Sequence, residues 1–400
     1  MDAAAPLGER IAFHRRRRGL SQVKLAGLLG RSESWISQVE RGVRPVDRIS
    51  VLNEVARALS VPVKELAPTA LGSLEEAEEH PAVRAVRAAL TTYEPMLGKK
   101  TERPVPDLSL LEDDAAQAWD LVQASRYEEL ATRLPRLLAD AQAAARSADA
   151  TTARVGLIVA AGAYQAAAAM LVKLGERDMA WLAGDRAVQL GERGNDPALA
   201  AAGIVRIGHA FLSDDRLDDA VRVASQAAAG LEERSADSAE AMSVIGALHL
   251  IAAIAATRLN QIDGARDHLA AAEGAAQRLG EDRNDFHTEF GPTNVAIHAV
   301  AIAVESGDAG EALRRAAKID ASQLSPERRA RFLIDVARAY GQRRKTEDAV
   351  RTLREAERLT PEQVRTNELV REMVRDLLRT GRRQPDKTVR ELARRIGVIP

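Results

Sequence analysis

The chain has 400 residues, with 57 Lys+Arg against 58 Asp+Glu, 3 % aromatic residues and no Cys. That length argues for two or more domains or a repeat array rather than one core, and the lack of Cys excludes disulfides, thiol nucleophiles and Cys-based metal sites. Overall charge balance gives no global argument for nucleic acid, but residues 1–66 carry 12 basic and 7 acidic residues, a net of +5, while the rest carries 45 and 51.

A small basic head on an acidic body fits nucleic-acid binding by the head alone. Arg outnumbers Lys by 49 to 8, a bias of the whole chain that strips arginine content by itself of meaning. The opening MDAAAPLGERIAFHRRRRG has no apolar run behind its charges and does not read as a signal peptide. No uninterrupted apolar stretch reaches the roughly 18 residues of a membrane span, so a soluble, cytoplasmic protein without membrane contact is expected. Apolar residues recur at three- and four-residue spacing almost throughout, which predicts an all-α fold.

In chain order, Gly8 to Arg18 reads as a first helix with Ile11 inward and Arg15 to Arg18 at its C-terminal end, where cations suit the helix dipole. Ser21 is an N-cap for a second helix whose inner face is Leu25, Ala26, Leu28 and Leu29, and Gly30 ends it. A third runs from about Ser32 to Arg41, with Ile36 and Val39 inward and Gly42 as its stop. Ile49, Leu52, Val55, Ala56 and Leu59 mark a fourth. Small Ala26 where helices touch and Gly30 at the turn are what two closely crossing helices need.

Leu20-Ser21-Gln22, Leu25-Ala26 and Ile36-Ser37-Gln38-Val39-Glu40-Arg41-Gly42 resemble the XRE (Cro-type) helix-turn-helix family of phage repressors. The resemblance covers about residues 7–66 and implies a five-helix DNA-binding domain, residues 1–66, with its third helix in the major groove of double-stranded DNA. It implies that Glu33, Ser34 and Gln38 face base edges, that Gln22 anchors to phosphate and that Arg41 and Arg44 lie near the backbone. Gln pairs with adenine and Glu accepts from cytosine N4, so the chemistry is apt. Ser32 at the helix start, Arg31 as a phosphate contact and Trp35 as a packing or sugar–phosphate residue complete the candidate interface. Arg31 departs from the family, which more often has an apolar residue there.

Residues 67–111 read as a linker. Pro68, Gly72 and an acidic cluster come first, then a short helix over 82–92 with Val83, Val86 and Leu90 on one side, then a Pro-containing connector. Residues 112–400 read as a helical array. Ala180, Ala220, Ala265, Ala312 and Ala349 each follow a turn, and twelve residues before each stands another small or apolar residue: Ala168, Gly208, Ala253, Val300 and Ala337. That fixed offset predicts stacked hairpins with like crossings. A sixth, degenerate unit is expected near Trp119, turning at Ser125-Arg126. The units IVRIGHAFLSDDRLDDAVRVASQA and LIDVARAYGQRRKTEDAVRTLREAERLTP resemble the tetratricopeptide repeat, with a longer period. The tail TVRELARRIGV is expected as a capping or dimer helix.

Stacked hairpins form an α-solenoid with a concave face lined by the first helix of each unit. Its expected lining is Gln165, Arg206, His209, Arg258, Asn294, Glu305, Arg331, Asp335 and Arg338, a set suited to peptide backbone and carboxylates. The interruption DRNDFHTEFGPTN, with His287, Glu289 and Phe290, is expected to wall a pocket. No HExxH or phosphate-cradling Gly loop occurs, so no enzyme, cofactor or metal is expected. This layout resembles the peptide-sensing regulators of Gram-positive bacteria. The resemblance implies a homodimeric transcriptional regulator, joined through its C-terminal helices, whose repeats sense a peptide or small molecule. The alternative is a DNA-bound scaffold whose repeats recruit a protein partner.

Overall fold

A computed structural model describes residues 6–43 except 19 and 30, single positions between 51 and 66, and residues 81–91, 104–235, 238–380 and 387–399. The chain divides into two units, residues 1–80 and 81–400. The fold is all-α; the described residues hold one isolated bridge, Arg283 with Phe290, and no strand.

The first unit holds α1 (Leu7–Arg17), α2 (Gln22–Leu28) and α3 (Glu33–Glu40), of which α2 and α3 start where capping chemistry places them. Ser21 accepts from the Lys24 amide at 3.1 Å and Ser32 from the Trp35 amide at 3.2 Å. Ile11, Leu25, Ala26, Ile36 and Val39 form one core with Val55, Ala56 and Leu59. Gly8 lets α1 lie on the end of α3, since a Cβ there would stand 2.3 Å from the Val39 carbonyl oxygen. Gly42, at φ 72°, ends α3. Gly30, Arg44, Ile49 and Leu52 fall outside the described residues.

The second unit holds six helical hairpins: α5 (Leu108–Gln123) with α6 (Tyr127–Ala145), α7 (Ala150–Lys173) with α8 (Arg177–Arg193), and α9 (Pro197–Ser213) with α10 (Leu217–Ser235). Then come α11 (Ala239–Arg258) with α12 (Ile262–Leu279), α13 (Pro292–Glu305) with α14 (Ala309–Ala316), and α15 (Pro326–Gln342) with α16 (Thr346–Leu359). Preceding them is α4 (Pro81–Leu90), and α17 (Pro361–Thr366), α18 (Glu368–Thr380) and α19 (Lys387–Arg395) follow. Each hairpin turns through one left-handed residue: Ser125, Gly175, Asp215, Asn260, Gly307 and Arg344. The amide after it bonds to the carbonyl five residues back, at 2.9 Å in all six, which satisfies the orphan carbonyls at the helix end. Five residues beyond the left-handed position stand Ala180, Ala220, Ala265, Ala312 and Ala349, all buried. The repeat offset therefore has a local cause: identical turn bonds set identical helix entries. In the degenerate first unit the same place holds Leu130.

Two expectations need correction. The helix near residue 82 is not part of a linker: Ala82, Val86 and Leu90 of α4 are buried in one core with Leu130 and Leu134 of α6. The array starts at Leu108 rather than about 112, capped by Asp107, which accepts from the Ser109 amide at 2.9 Å. Helices α7 and α11 are long and apolar enough to span a membrane by composition, and 67 % and 78 % of those segments are buried inside the unit. The tail helix α19 caps the array, with Val389, Leu392 and Ala393 packed on Val370 and Val374 of α18.

The array also meets itself. Ser125, in the first hairpin turn, donates to Gln363 of α17 at 3.2 Å, and the Tyr127 amide donates to Glu362 at 2.8 Å. Gln363 in turn donates to Glu327 of α15, which is also bonded by Lys173 of α7.

Candidate functional site

Two surfaces carry chemistry. The first is the outward side of α3. Glu33 and Ser34 are exposed, Gln38 is partly exposed and donates to the Ser34 hydroxyl at 3.4 Å, and Ile36 and Val39 behind them are buried. The polar row therefore stands on a rigid apolar base. Arg41 is exposed and donates to the Ser37 carbonyl at 3.2 Å. Together with Gln22, Ser37 and Arg16 it borders a surface cleft beside α3. Ser32 spends its hydroxyl on the helix cap. Trp35 packs against the core, with the Arg31 guanidinium 5.6 Å above its ring, so Arg31 covers an aromatic face rather than the apolar contact usual in the family.

Behind this row lies a buried network that sequence reasoning missed. Arg15 donates to both carboxylate oxygens of Glu40, at 2.5 and 2.9 Å, and to the Leu20 carbonyl at 2.7 Å. Gln22 donates to Glu40 at 2.8 Å. Burial favours the neutral acid, but the bonds from Arg15 and Gln22 and the positive charge of Arg15 outweigh it and hold the Glu40 carboxyl below its usual range. One carboxylate thus ties the end of α1, the start of α2 and the end of α3. Gln22 is oriented by it, with its second N–H outside this network. Nothing local in the sequence marks a pair 25 residues apart. Only the Arg15–Arg18 run hinted at it, and that run reads as helix-end charge.

The second surface is a cavity in the repeat unit with about 630 Å³ of empty space, its open mouth included. Trp119, Val122, Tyr127, Ala169 and Val172 give it an apolar side; Lys173, Arg206, His209, Arg328 and Arg331 give a basic one, with Glu289 and Glu327. Of the nine expected lining residues, Arg206, His209 and Arg331 meet here. Arg258, Glu305, Asp335 and Arg338 do not; they pair among themselves at 3.0 to 3.4 Å. Gln165 and Asn294 are also absent from it: both are buried, Gln165 donating to the Leu199 carbonyl at 3.5 Å. A repeat register gives the face of a helix but not which charges neutralise each other once neighbouring units stack.

The interruption after α12 forms one wall. Phe286, His287 and Glu289 have φ of 45°, 56° and 49°, a backbone that costs non-glycine residues about 1–2 kcal/mol each. The loop is held against that cost. Phe290 is fully buried against Gly246, where a Cβ would approach the ring to 1.9 Å. Arg206 donates to the Phe286 and His287 carbonyls at 3.1 and 2.9 Å, and Arg328 to the Thr288 carbonyl at 3.1 Å. His287 stacks on Trp119 with centroids 4.1 Å apart. Glu289 accepts from the Ser325 amide and hydroxyl at 3.0 and 2.9 Å. His287 and Glu289 do line the cavity as expected, whereas Phe290 anchors the loop instead.

Burial and the nearby charge of Arg206 push His287 down to about 3; burial with Arg331, Arg328, Arg206 and Lys173 pushes His209 well below its ordinary value. Both rings are neutral at pH 7. Against burial, Lys173 and Arg328 hold Glu327 ionised, down to about 2. Burial beside Arg328 brings Arg206 to about 9, still charged at neutral pH. Four cations against two carboxylates leave the cavity net positive. Among the described residues no group of three or more His, Asp or Glu is placed to hold a metal ion.

No curated protein matches the chain. Among solved structures, it is similar to PlcR of Bacillus thuringiensis in complex with the peptide PapR7 and DNA, at 15 % identity over 89 % of this chain and 99 % of that one, TM-score 0.36. It is also similar to aspartyl phosphate phosphatase F of Bacillus subtilis, at 13 % identity over 90 % and 95 %, TM-score 0.43. The three helices, the shared core and the outward polar row all fall in residues 6–69, which match the family model described as a helix-turn-helix domain; the N-terminal unit is a helix-turn-helix domain.

Proposed function

We propose that this protein is a sequence-specific DNA-binding transcriptional regulator, acting as a cytoplasmic homodimer, whose helical-repeat unit senses a peptide or small molecule. The observation that carries the DNA reading is the outward row Glu33, Ser34 and Gln38, fixed on buried Ile36 and Val39 within a helix-turn-helix domain. Gln38 and Ser34 supply bidentate and adaptable base contacts, and Glu33 demands a donor such as cytosine N4. Gln22 and Arg41 flank the row as phosphate contacts, with Arg31, Ser32 and Trp35 around them, and Arg44 is a further candidate for a backbone contact. The net-positive cavity supports the sensing reading. A ligand bound there regulates through its differential affinity for two states of the protein.

Selection of binding sites from a random duplex pool tests this. The wild type should enrich one motif, arranged as two half-sites about one helical turn apart if the dimer reads both. Gln38→Ala should relax preference at one base pair, by about 1–3 kcal/mol, whereas Arg41→Ala should weaken all sequences alike and lower the salt slope by about one. An unchanged motif with Gln38→Ala removes the base-reading assignment.

A further inference from the structure

Resting on that sensing reading, we infer that the cavity takes a small amphipathic carboxylate and not an extended peptide. One arm of each guanidinium suited to gripping a peptide main chain is already used, its Nε being left without a hydrogen-bond partner. Arg206 and Arg328 hold the carbonyls of Phe286, His287 and Thr288, so the chain's own loop occupies the place of a peptide backbone. The far side is shut by the bonds from Ser125 and Tyr127 to α17. What remains is a partly open cavity lined from α5, α6, α7, α9, the loop and α15.

Its chemistry is two-sided. Trp119, Val122, Ala169 and Val172 offer an apolar body site. Opposite them Lys173 is bonded to Glu327, whereas Arg331, half-buried, has no hydrogen bond or ion pair among the described residues. It lies close enough to lower the proton affinity of Lys173 and His209. A half-buried guanidinium whose nearby carboxylates, Glu327 and Asp335, are already bonded by Lys173 and Arg338, in a net-positive pocket with neutral histidines, calls for a carboxylate in fork geometry. A cationic ligand would meet four positive side chains, and a neutral one would leave Arg331 unanswered.

Calorimetric titration of the full chain with phenylbutyrate, its neutral amide and an oligoalanine peptide tests the assignment. Saturable binding of the acid is expected, with the amide weaker by about ten- to a hundredfold. Arg331→Gln should erase that acid preference. Ala169→Leu, which fills the apolar side and leaves every charge in place, should weaken both acid and amide, and it keeps the test open if Arg331→Gln does not fold. Equal binding of acid and amide, no saturable heat from the acid, an acid preference surviving in folded Arg331→Gln, or the peptide displacing the acid would overturn it. Duplex binding by the same preparation, measured without any probe, separates the two readings. DNA binding without acid preference removes only the ligand class, and acid preference without DNA binding removes only the regulator.

Discussion

Glu40 accepts three hydrogen bonds from two side chains on two other helices, so its removal should act on the whole helix-turn-helix and not on one contact. Glu40→Gln leaves the Arg15 guanidinium, 10 % exposed, without its carboxylate, and breaking a buried pair in this way costs about 3 kcal/mol. Amide exchange across residues 6–43 should accelerate roughly a hundredfold; unchanged protection would show that the pair adds nothing to the domain. The pair also predicts acid behaviour. Because the folded carboxyl titrates below its ordinary value of 4.5, its stabilisation is complete above that pH and is lost as pH falls further, and Glu40→Gln should lack this limb. The apolar members of the site were legible: Leu25, Ala26, Ile36 and Val39 sit at helical spacing that only an inward face explains. Arg15 was not, since a charged residue in a run of four is indistinguishable from a solvated one until α3 is placed beside it.

The hairpin turn is the element that makes the array regular, and its cost is visible in who occupies it. Gly175 sits at φ 81° with no atom within 4 Å of where a Cβ would be. Gly175→Ala therefore isolates backbone strain from crowding, and it should destabilise the repeat unit by about 1 kcal/mol in urea unfolding. A neutral effect would mean that the bond from Glu176 to the Leu171 carbonyl, 2.9 Å long, tolerates another conformation. Because turn bonds are local, the offset of Ala168 from Ala180 and its four counterparts could be read in the sequence. Lining residues could not be read the same way. Arg338 and Arg331 lie two turns apart on one helix, yet Arg338 meets Glu305 and Asp335 at 3.0 and 3.1 Å, while Arg331 faces the cavity. That difference is decided by what neighbouring units present, a long-range fact without a sequence period.

At the scale of the repeat unit, contact between the first hairpin and α17 encloses a site that no single hairpin contains, and it buries ionisable groups from distant parts of the chain together. His209 on α9, His287 on the loop and His298 on α13 all have depressed proton affinity: burial dominates for each, reinforced by Arg206, Arg328 or Arg331. His287 and His298 fall to about 3. In the unfolded chain these rings titrate near 6.5, so below that pH the unfolded state binds protons the folded state refuses. Stability is then lost as pH falls, well before carboxylates such as Glu327, held at about 2, begin to protonate. Between about pH 7.5 and 5.5 each histidine should cost about 1.4 kcal/mol, roughly 4 in all. Asp335, raised by burial, works the other way. Urea unfolding of the full chain at the two pH values measures the loss, and His287→Asn should reduce it by about 1.4 kcal/mol. A flat profile would mean that these rings are open to water in solution, and with them the cavity that the first and last repeats close.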